Sequence, residues 1–285
     1  MSELIKHVGK KLYSTLEQYD VSTGISVGVY KPNDSGDPDY IPPVVSADCP
    51  DYYTESDLQT LSWSWDKESS DVVDLSNHLK AADFSPVTTN YTVDWGDGVI
   101  NNSYTHTYTS DGNFTILIHT KTVAHVYIEG KQVTDIITLP NSIIELRCYV
   151  NLLTSIPTLP TSLTYLDCSG NSLTSLPTLP SGLTILICNN NSITSIPTLP
   201  SGLVYLRCYV NPLTSLPTLT SVLAYLDCSS NTLTSIPTLP STLTTLICNN
   251  NSLTSLPTLP SGLTYLRCYV NQLSSSEINN YLILL

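Results

Sequence analysis

The feature that most constrains this chain is a unit of twenty residues that recurs from Ile143 to the C-terminus. The copy at 163–180 reads LTYLDCSGNSLTSLPTLP, and its asparagine returns at the same place in every copy. A fixed period of this length is typical of solenoids, in which each unit packs only on its neighbours. We therefore expect a solenoid over residues 122–273, whose units are marked by Asn151, Asn171, Asn191, Asn211, Asn231, Asn251 and Asn271.

The segment at 165–169 in each unit predicts a short β-strand. Side chains alternate between the two faces of a strand, so Leu166 and Cys168 would face the core and their neighbours would face solvent. Pro177 and Pro180 remove backbone donors and restrict the residues before them. We therefore expect the strands to form one parallel sheet, with an extended, non-helical chain on the convex side.

The pattern L-x-x-L-x-C-x-x-N-x-L-x-x-L-P-x-L-P resembles the leucine-rich repeat. It is similar to the short bacterial kind known from injected effectors and from some phage and bacterial surface proteins. The resemblance implies that each asparagine amide bonds backbone groups of adjacent turns. Sliding the pattern back predicts a degenerate first unit, with Val123, Val126, Ile128, Val133, Ile136 and Leu139 at its core positions.

Residues 91–118 carry a second resemblance, to the polycystic-kidney-disease-type immunoglobulin-like domain. The matching residues are Trp95, Gly96, Asp97, Gly98, His106, Tyr108, Gly112 and Phe114. The resemblance implies a non-catalytic β-sandwich, which we place at 55–121. Asp94 and Asp97 are interpreted as turn-forming carboxylates, because two carboxylates fall short of the six to eight oxygens that Ca²⁺ usually takes.

The remaining segments are short. Leu4, Val8, Leu12 and Leu16 form an apolar stripe that predicts an amphipathic helix at 1–20. This helix either packs on its own domain or uses residues 3–19 for self-association or docking. Residues 21–54 are predicted to be an extended linker or arm. A capping-box spacing at Ser274 predicts a short capping helix at 274–285.

Charge and cysteine usage exclude several classes of function. Residues 1–139 hold 20 acidic and 8 basic residues, whereas residues 140–285 hold 4 and 3, so the net charges are −12 and −1. This acidic balance argues against a nucleic-acid partner. Seven cysteines share one inward repeat position and are interpreted as buried apolar side chains, without a metal site or disulfides. No apolar run is long enough to predict a membrane span.

The outward positions of the predicted strands form a candidate binding surface. Parallel strands lie about 4.8 Å apart, so Arg147 should meet Asp167, and Arg207 should meet Asp227. Tyrosine and arginine are enriched at binding hot spots, although such a surface could also be a neutral ladder of charges and strand-forming tyrosines. The candidate binding residues are Arg147, Tyr149, Tyr165, Asp167, Ile187, Tyr205, Arg207, Tyr209, Tyr225, Asp227, Ile247, Tyr265, Arg267 and Tyr269.

The sequence therefore predicts a mainly β protein: a leucine-rich-repeat solenoid preceded by an Ig-like β-sandwich and an N-terminal helix. The five histidines show no local pairing with a nucleophile, and no glycine loop is suited to phosphate, so we expect neither catalysis nor a cofactor. The first functional hypothesis is a phage decoration or fibre protein on the virion surface. The alternative is a bacterial surface adhesin or secreted effector, which binds a protein or glycan through the concave repeat face. A third hypothesis is an intracellular scaffold.

Overall fold

The computed structural model describes residues 59–67, 72–74, 79–80, 91–101, 103, 105–109, 112–120, 123–128 and 133–274. The predicted N-terminal helix at 1–20, the arm at 21–54 and the capping helix after Ser274 lie outside the described residues. The described part is built from strands, turns and extended segments, which confirms the mainly β prediction. Within it, no helix is long and apolar enough to cross a membrane.

The strands of the described residues form three sheets. In chain order they are β1 (Gln59–Lys67), β2 (Val72–Asp74), β3 (Leu79–Lys80), β4 (Tyr91–Asp94), β5 (Ile100–Asn101), β6 (Thr105–Thr107), β7 (Gly112–Thr120), β8 (His125–Tyr127), β9 (Val133–Thr138), β10 (Glu145–Arg147), β11 (Tyr165–Asp167), β12 (Ile185–Ile187), β13 (Tyr205–Arg207), β14 (Tyr225–Asp227), β15 (Thr245–Ile247) and β16 (Tyr265–Arg267). One sheet has the antiparallel order β5-β4-β7-β1-β9, and a second pairs β2 with β6.

The third sheet is the spine of the solenoid and confirms the leucine-rich-repeat architecture. Its order is β16-β15-β14-β13-β12-β11-β10-β8-β3, and every pair from β8 to β16 is parallel. Each strand pairs with the strand twenty residues away, as in the register of Leu146 with Leu166. Leu166 and Cys168 are fully buried, so the predicted alternation of inward and outward side chains is confirmed.

The convex side is extended and non-helical within the described turns, as predicted from the paired prolines. Leu176 and Leu179 turn inward from it and are 9% and 7% exposed, so they close the core from behind. Each turn thus contributes its buried side chains to one continuous apolar interior shared with its neighbours.

The asparagine column ties the turns together, as the repeat resemblance implies. The Asn171 amide donates to the carbonyls of Cys148 at 2.9 Å and Cys168 at 3.1 Å. Its side-chain oxygen accepts from the backbone N–H of Leu153 at 3.1 Å. Asn191 makes the same set of bonds one turn later. One side chain therefore satisfies backbone groups on two successive turns where the strand ends.

The degenerate first unit is part of the solenoid. Val126 is fully buried and lies opposite Leu146 in the parallel sheet. The convex segment of this unit is strand β9, which pairs antiparallel with β1 of the five-stranded sheet. Strand β3 also pairs with β8. The first turn therefore belongs to two sheets and joins the solenoid to the strands that precede it.

The turn after β4 contains the residues behind the Ig-like resemblance. Trp95 and Tyr108 are buried, and the Tyr108 hydroxyl donates to the Trp95 carbonyl at 2.9 Å. Asp94 and Asp97 accept backbone N–H bonds two residues on, as turn-forming carboxylates do. Gly96 has φ 81°, and a Cβ there would lie 2.5 Å from the Thr115 carbonyl oxygen. The predicted sandwich at 55–121 remains a prediction, since much of that range lies outside the described residues.

A candidate recognition surface on the parallel sheet

The outward side chains of the solenoid sheet form one continuous surface, here called the sheet face. It comprises the first and third residues of strands β8 and β10–β16, and the residue two positions after each strand. All fourteen residues predicted from the sequence lie on it. Most are half-buried, Asp227 is 8% exposed, and Tyr265, Arg267 and Tyr269 at the last strand are exposed.

Arg207 lies beside two stacked tyrosines at the centre of the sheet face. The rings of Tyr205 and Tyr225 are 4.2 Å apart with an interplanar angle of 11°. The Arg207 guanidinium carbon is 5.5 Å and 5.6 Å from their centroids, and Nη2 donates to the Tyr225 hydroxyl at 3.3 Å. Burial raises the pKa of Tyr205 to about 12, so this phenol remains neutral at physiological pH. The cluster holds a cation in a fixed orientation on a rigid sheet.

Arg147 occupies the equivalent position three turns earlier, but its charge is compensated. Its guanidinium lies 5.1 Å from the ring centroids of Tyr127 and Tyr165. Its Nε donates to Oε1 of Glu145 at 2.6 Å, and its Nη2 forms an ion pair with the same oxygen at 2.6 Å. Glu145 is on the same strand and face, two residues before Arg147, so the pair forms within a single strand.

Glu145 is the centre of a buried polar cluster. His125 Nδ1 lies 2.7 Å from its Oε2, and the Tyr127 hydroxyl donates to the same oxygen at 3.0 Å. Burial opposes ionisation of this carboxyl, but the hydrogen bonds from His125, Arg147 and Tyr127 outweigh burial and hold its pKa below the usual value. Because His125 and Tyr127 belong to β8, the cluster fastens the first turn to the second.

The predicted contacts between arginine and aspartate across strands are wrong, although the register behind them is confirmed. Arg147 lies opposite Asp167, and Arg207 opposite Asp227. Asp167 instead accepts from the backbone N–H of Ser169 at 3.1 Å and from its hydroxyl at 2.6 Å. Asp227 makes the same two bonds to Ser229. A serine two residues on is a closer partner than an arginine on the next strand.

A column of left-handed residues borders the sheet face where each turn leaves its strand. Gly170, Asn190, Ser230 and Asn250 occupy it with φ between 53° and 64°. In three turns the same position is valine: Val150, Val210 and Val270, with φ of 54°, 51° and 52°. These valines are 60%, 43% and 66% exposed. A β-branched residue is strained in this region, and burial does not offset the strain here.

Sequence reasoning missed several residues of this surface. Tyr127 and His125 stand twenty residues before Arg147 and Glu145 in the degenerate first unit, so the repeat period was sufficient to place them. Glu145 was detectable as the outward neighbour of Arg147 on one strand. Asn189 and Val210 were not detectable, because buried polar atoms and backbone strain depend on tertiary geometry.

Six of the repeat thiols lie in the core beneath the sheet face. Cys148, Cys168, Cys188, Cys208, Cys228 and Cys248 are fully buried free thiols, and burial raises the pKa of each. Thiols in this state are poor nucleophiles and poor metal ligands. Among the described residues, no group of three or more His, Cys, Asp or Glu side chains could hold a metal ion.

Comparison with known proteins finds similarity to bacterial leucine-rich-repeat effectors. YopM of Yersinia enterocolitica aligns at 31% identity with a TM-score of 0.48, over 53% of this chain and 38% of that chain. YopM of Yersinia pestis, described as a leucine-rich effector protein, aligns at 34% identity with a TM-score of 0.45, over 47% and 39%. The leucine-rich-repeat domain of a Shigella effector aligns at 27% identity with a TM-score of 0.49, over 55% and 74%.

These similarities extend over about half of this chain. The chain spans less than two fifths of the length of the two Yersinia proteins, so the activities of those whole proteins are not carried over. No protein-family model and no curated protein sequence matches the chain. The leucine-rich-repeat solenoid is established by the parallel sheet and the buried repeat positions of this chain itself.

Proposed function

We propose that the chain is a non-enzymatic recognition protein that binds a partner protein through the sheet face. The observation that carries this proposal is the Arg207 cluster, a cation stacked beside Tyr205 and Tyr225 on a regular sheet. Aromatic side chains and arginine contribute most of the energy at protein interfaces. Because the sheet already fixes these side chains, binding costs little conformational entropy.

The test uses the full chain with a chemical cross-linker, followed by identification of captured partners and affinity measurement with each purified partner. Arg207→Ala combined with Tyr209→Ala should weaken binding about tenfold or more, because both side chains lie on the sheet face. The matched control is Thr178→Ala on the exposed convex side, which should leave the affinity unchanged. Unchanged binding of the double variant to a purified partner would remove the sheet face from consideration.

A glycan is the alternative ligand, because the exposed Tyr265 and Tyr269 rings at the end of the sheet face offer apolar planes on which a sugar ring can stack. Incubation of the labelled chain on a glycan array distinguishes the two ligand classes. Binding to a defined glycan that Tyr269→Ala abolishes would favour the glycan. Binding to purified protein alone would favour the first proposal.

The site of action is proposed from the sequence. The first hypothesis is a decoration or fibre protein on a phage virion, with residues 3–19 as a docking or self-association segment. The alternative is a bacterial surface or extracellular protein, either an adhesin or a secreted effector. Mass spectrometry of purified particles and of culture fractions separates these hypotheses, because the chain should be enriched in particles in the first case and in the cell-surface or medium fraction in the second.

A further inference from the structure

Among the described residues, Nε of Arg207 and Oδ1 of Asn189 are buried polar atoms of the sheet face that have no hydrogen-bond partner. Asn189 is 5% exposed and follows strand β12, whereas Arg207 ends the neighbouring strand β13. One atom is a donor and the other an acceptor. Buried polar groups are nearly always satisfied, so an unsatisfied donor and an unsatisfied acceptor on neighbouring turns point to a ligand that pairs with them.

Arg207 also lacks a counter-ion among the described residues, whereas its equivalent Arg147 is neutralised. Glu145 binds Arg147 at 2.6 Å, but the residue two positions before Arg207 is Tyr205. Asp227 lies opposite Arg207 in the sheet, and its carboxylate is engaged by Ser229. The guanidinium of Arg207 is therefore oriented by tyrosines and available to a carboxylate from outside.

The strained Val210 lies beside this unsatisfied pair. The Asn190 N–H donates to the Tyr209 carbonyl at 3.0 Å, which brings the turn that carries Asn189 against the turn that carries Val210. The Val210 backbone is held on the other side by its N–H bond to the Ser229 carbonyl at 3.0 Å. Its neighbours in the column are Asn190 and Ser230. Contact with a partner would explain why an exposed aliphatic side chain occupies this strained backbone conformation.

We infer that Asn189, Arg207, Tyr209 and Val210 form a subsite for an acidic side chain of a partner protein, with an apolar residue next to that acid. The carboxylate accepts from the Arg207 guanidinium, and the Asn189 side chain, whose Oδ1 is buried in the free chain, rotates outward to accept from an N–H of the partner. The adjacent apolar residue packs on Val210 and the Tyr209 ring. This inference rests on the proposed protein-binding function and specifies the chemistry of the segment that is bound.

A random dodecapeptide library, selected on the immobilised full chain, tests the inference. Enriched peptides should carry Asp or Glu directly beside an aliphatic or aromatic residue. Their fluorescein-labelled forms, measured by fluorescence anisotropy, should bind Arg207→Gln and Val210→Asn about tenfold or more weakly than the parent chain. Thr178→Ala should bind as the parent does. The affinity should also fall with added salt, because the contact is between opposite charges.

Two sets of outcomes overturn the inference and are distinguishable. The subsite would be excluded if the enriched peptides lacked an acidic residue, or if acidic peptides bound Arg207→Gln with the same affinity as the parent chain. If Tyr205→Ala abolished the binding of those peptides, protein recognition by the sheet face would stand. Failure to select any peptide, or binding that none of these variants changes, would overturn both proposals. Val210→Asn introduces the residue that occupies the equivalent position of two other turns, Asn190 and Asn250. A loss of binding in this variant would therefore not result from unfolding.

Discussion

At the scale of single residues, the solenoid depends on one position in each turn where the backbone φ is positive. Each turn passes through the left-handed region after its strand, and glycine, asparagine and serine accept this with little or moderate strain. The three valines of this column each carry a penalty of about 1–2 kcal/mol relative to a residue that tolerates the conformation. The same three turns carry the arginine and tyrosine of the sheet face, so each strained valine directly follows a sheet-face tyrosine.

Val210→Asn should therefore raise the free energy of unfolding by about 1 kcal/mol, because asparagine tolerates a positive φ. The measurement is urea denaturation followed by circular dichroism. Asn250→Val makes the reverse change at the equivalent position, φ 56°, and should lower stability by a similar amount. A stability change of the same sign in both variants would show that backbone strain does not control this column.

The asparagine column gives the opposite prediction. Asn191→Ala removes the donor to the Cys168 and Cys188 carbonyls and the acceptor for the Leu173 N–H. Each backbone group left unsatisfied costs about 1–3 kcal/mol, so the free energy of unfolding should fall by about 3 kcal/mol or more. Thr178→Ala, at an exposed convex position, should stay within about 0.5 kcal/mol in the same urea experiment. Equal effects of the two substitutions would contradict a structural role for the amide.

At the scale of elements, each short repeat strand presents its first and third residues outward and a leucine inward, and the cysteine that follows is inward too. In most turns the cysteine is fully buried, and its thiol fills a position next to the equivalent thiols of adjacent turns. Burial raises the pKa of Cys188 to about 12, and the pKa values of Cys168 and Cys208 lie well above the ordinary 9.0. Burial therefore favours the protonated thiols in the folded chain.

Stability should consequently fall as pH rises above about 9, because the unfolded chain releases thiol protons that the folded chain retains. Each buried thiol contributes up to about 1.4 kcal/mol per pH unit above its unfolded pKa. Urea denaturation at pH 8 and pH 10 measures the slope, and Cys188→Ala should make it shallower. A slope that Cys188→Ala leaves unchanged would show that the column is not the source of the pH dependence.

At the scale of the whole molecule, the first turn is the joint between two sheets. Its strand β8 continues the parallel sheet, and its strand β9 pairs with β1 of the antiparallel sheet. The turn also covers the open end of the solenoid core, where Ile143 and Leu146 are fully buried. An open end of a repeat array exposes apolar side chains, so this turn serves as the N-terminal cap.

Removal of residues 1–140 should therefore destabilise the solenoid more than removal of residues 1–122. The shorter fragment loses the cover of Val126 and Val133 and the hydrogen bond from the Glu145 N–H to the Ala124 carbonyl. Burial of two such side chains contributes about 3–6 kcal/mol, so its urea midpoint should be clearly lower. It should also bind more of a dye that reports exposed apolar surface. Equal midpoints would show that the first turn is not a cap.

The repeat by itself determined most of the architecture. A period of twenty residues places equivalent side chains on adjacent strands, and the alternation within each strand separates inward from outward, so the core, the register and all fourteen face residues followed from local pattern. The asparagine bonds followed from the resemblance to known repeats. The regions outside the described residues stay as predictions from sequence.

Only the tertiary structure decided which charges are paired and which turns are strained. Arg147 and Arg207 share the segment LRCYVN, and Glu145 stands two residues before Arg147 where Tyr205 stands before Arg207. The structure shows that His125 and Tyr127 hold Glu145 so that it pairs with Arg147, whereas Arg207 pairs with no carboxylate among the described residues. Strand β1 reaches β9 across about seventy residues of sequence, a contact with no local signal. The partner of a side chain depends on which groups the fold brings within hydrogen-bonding distance. A repeat pattern does not contain those distances.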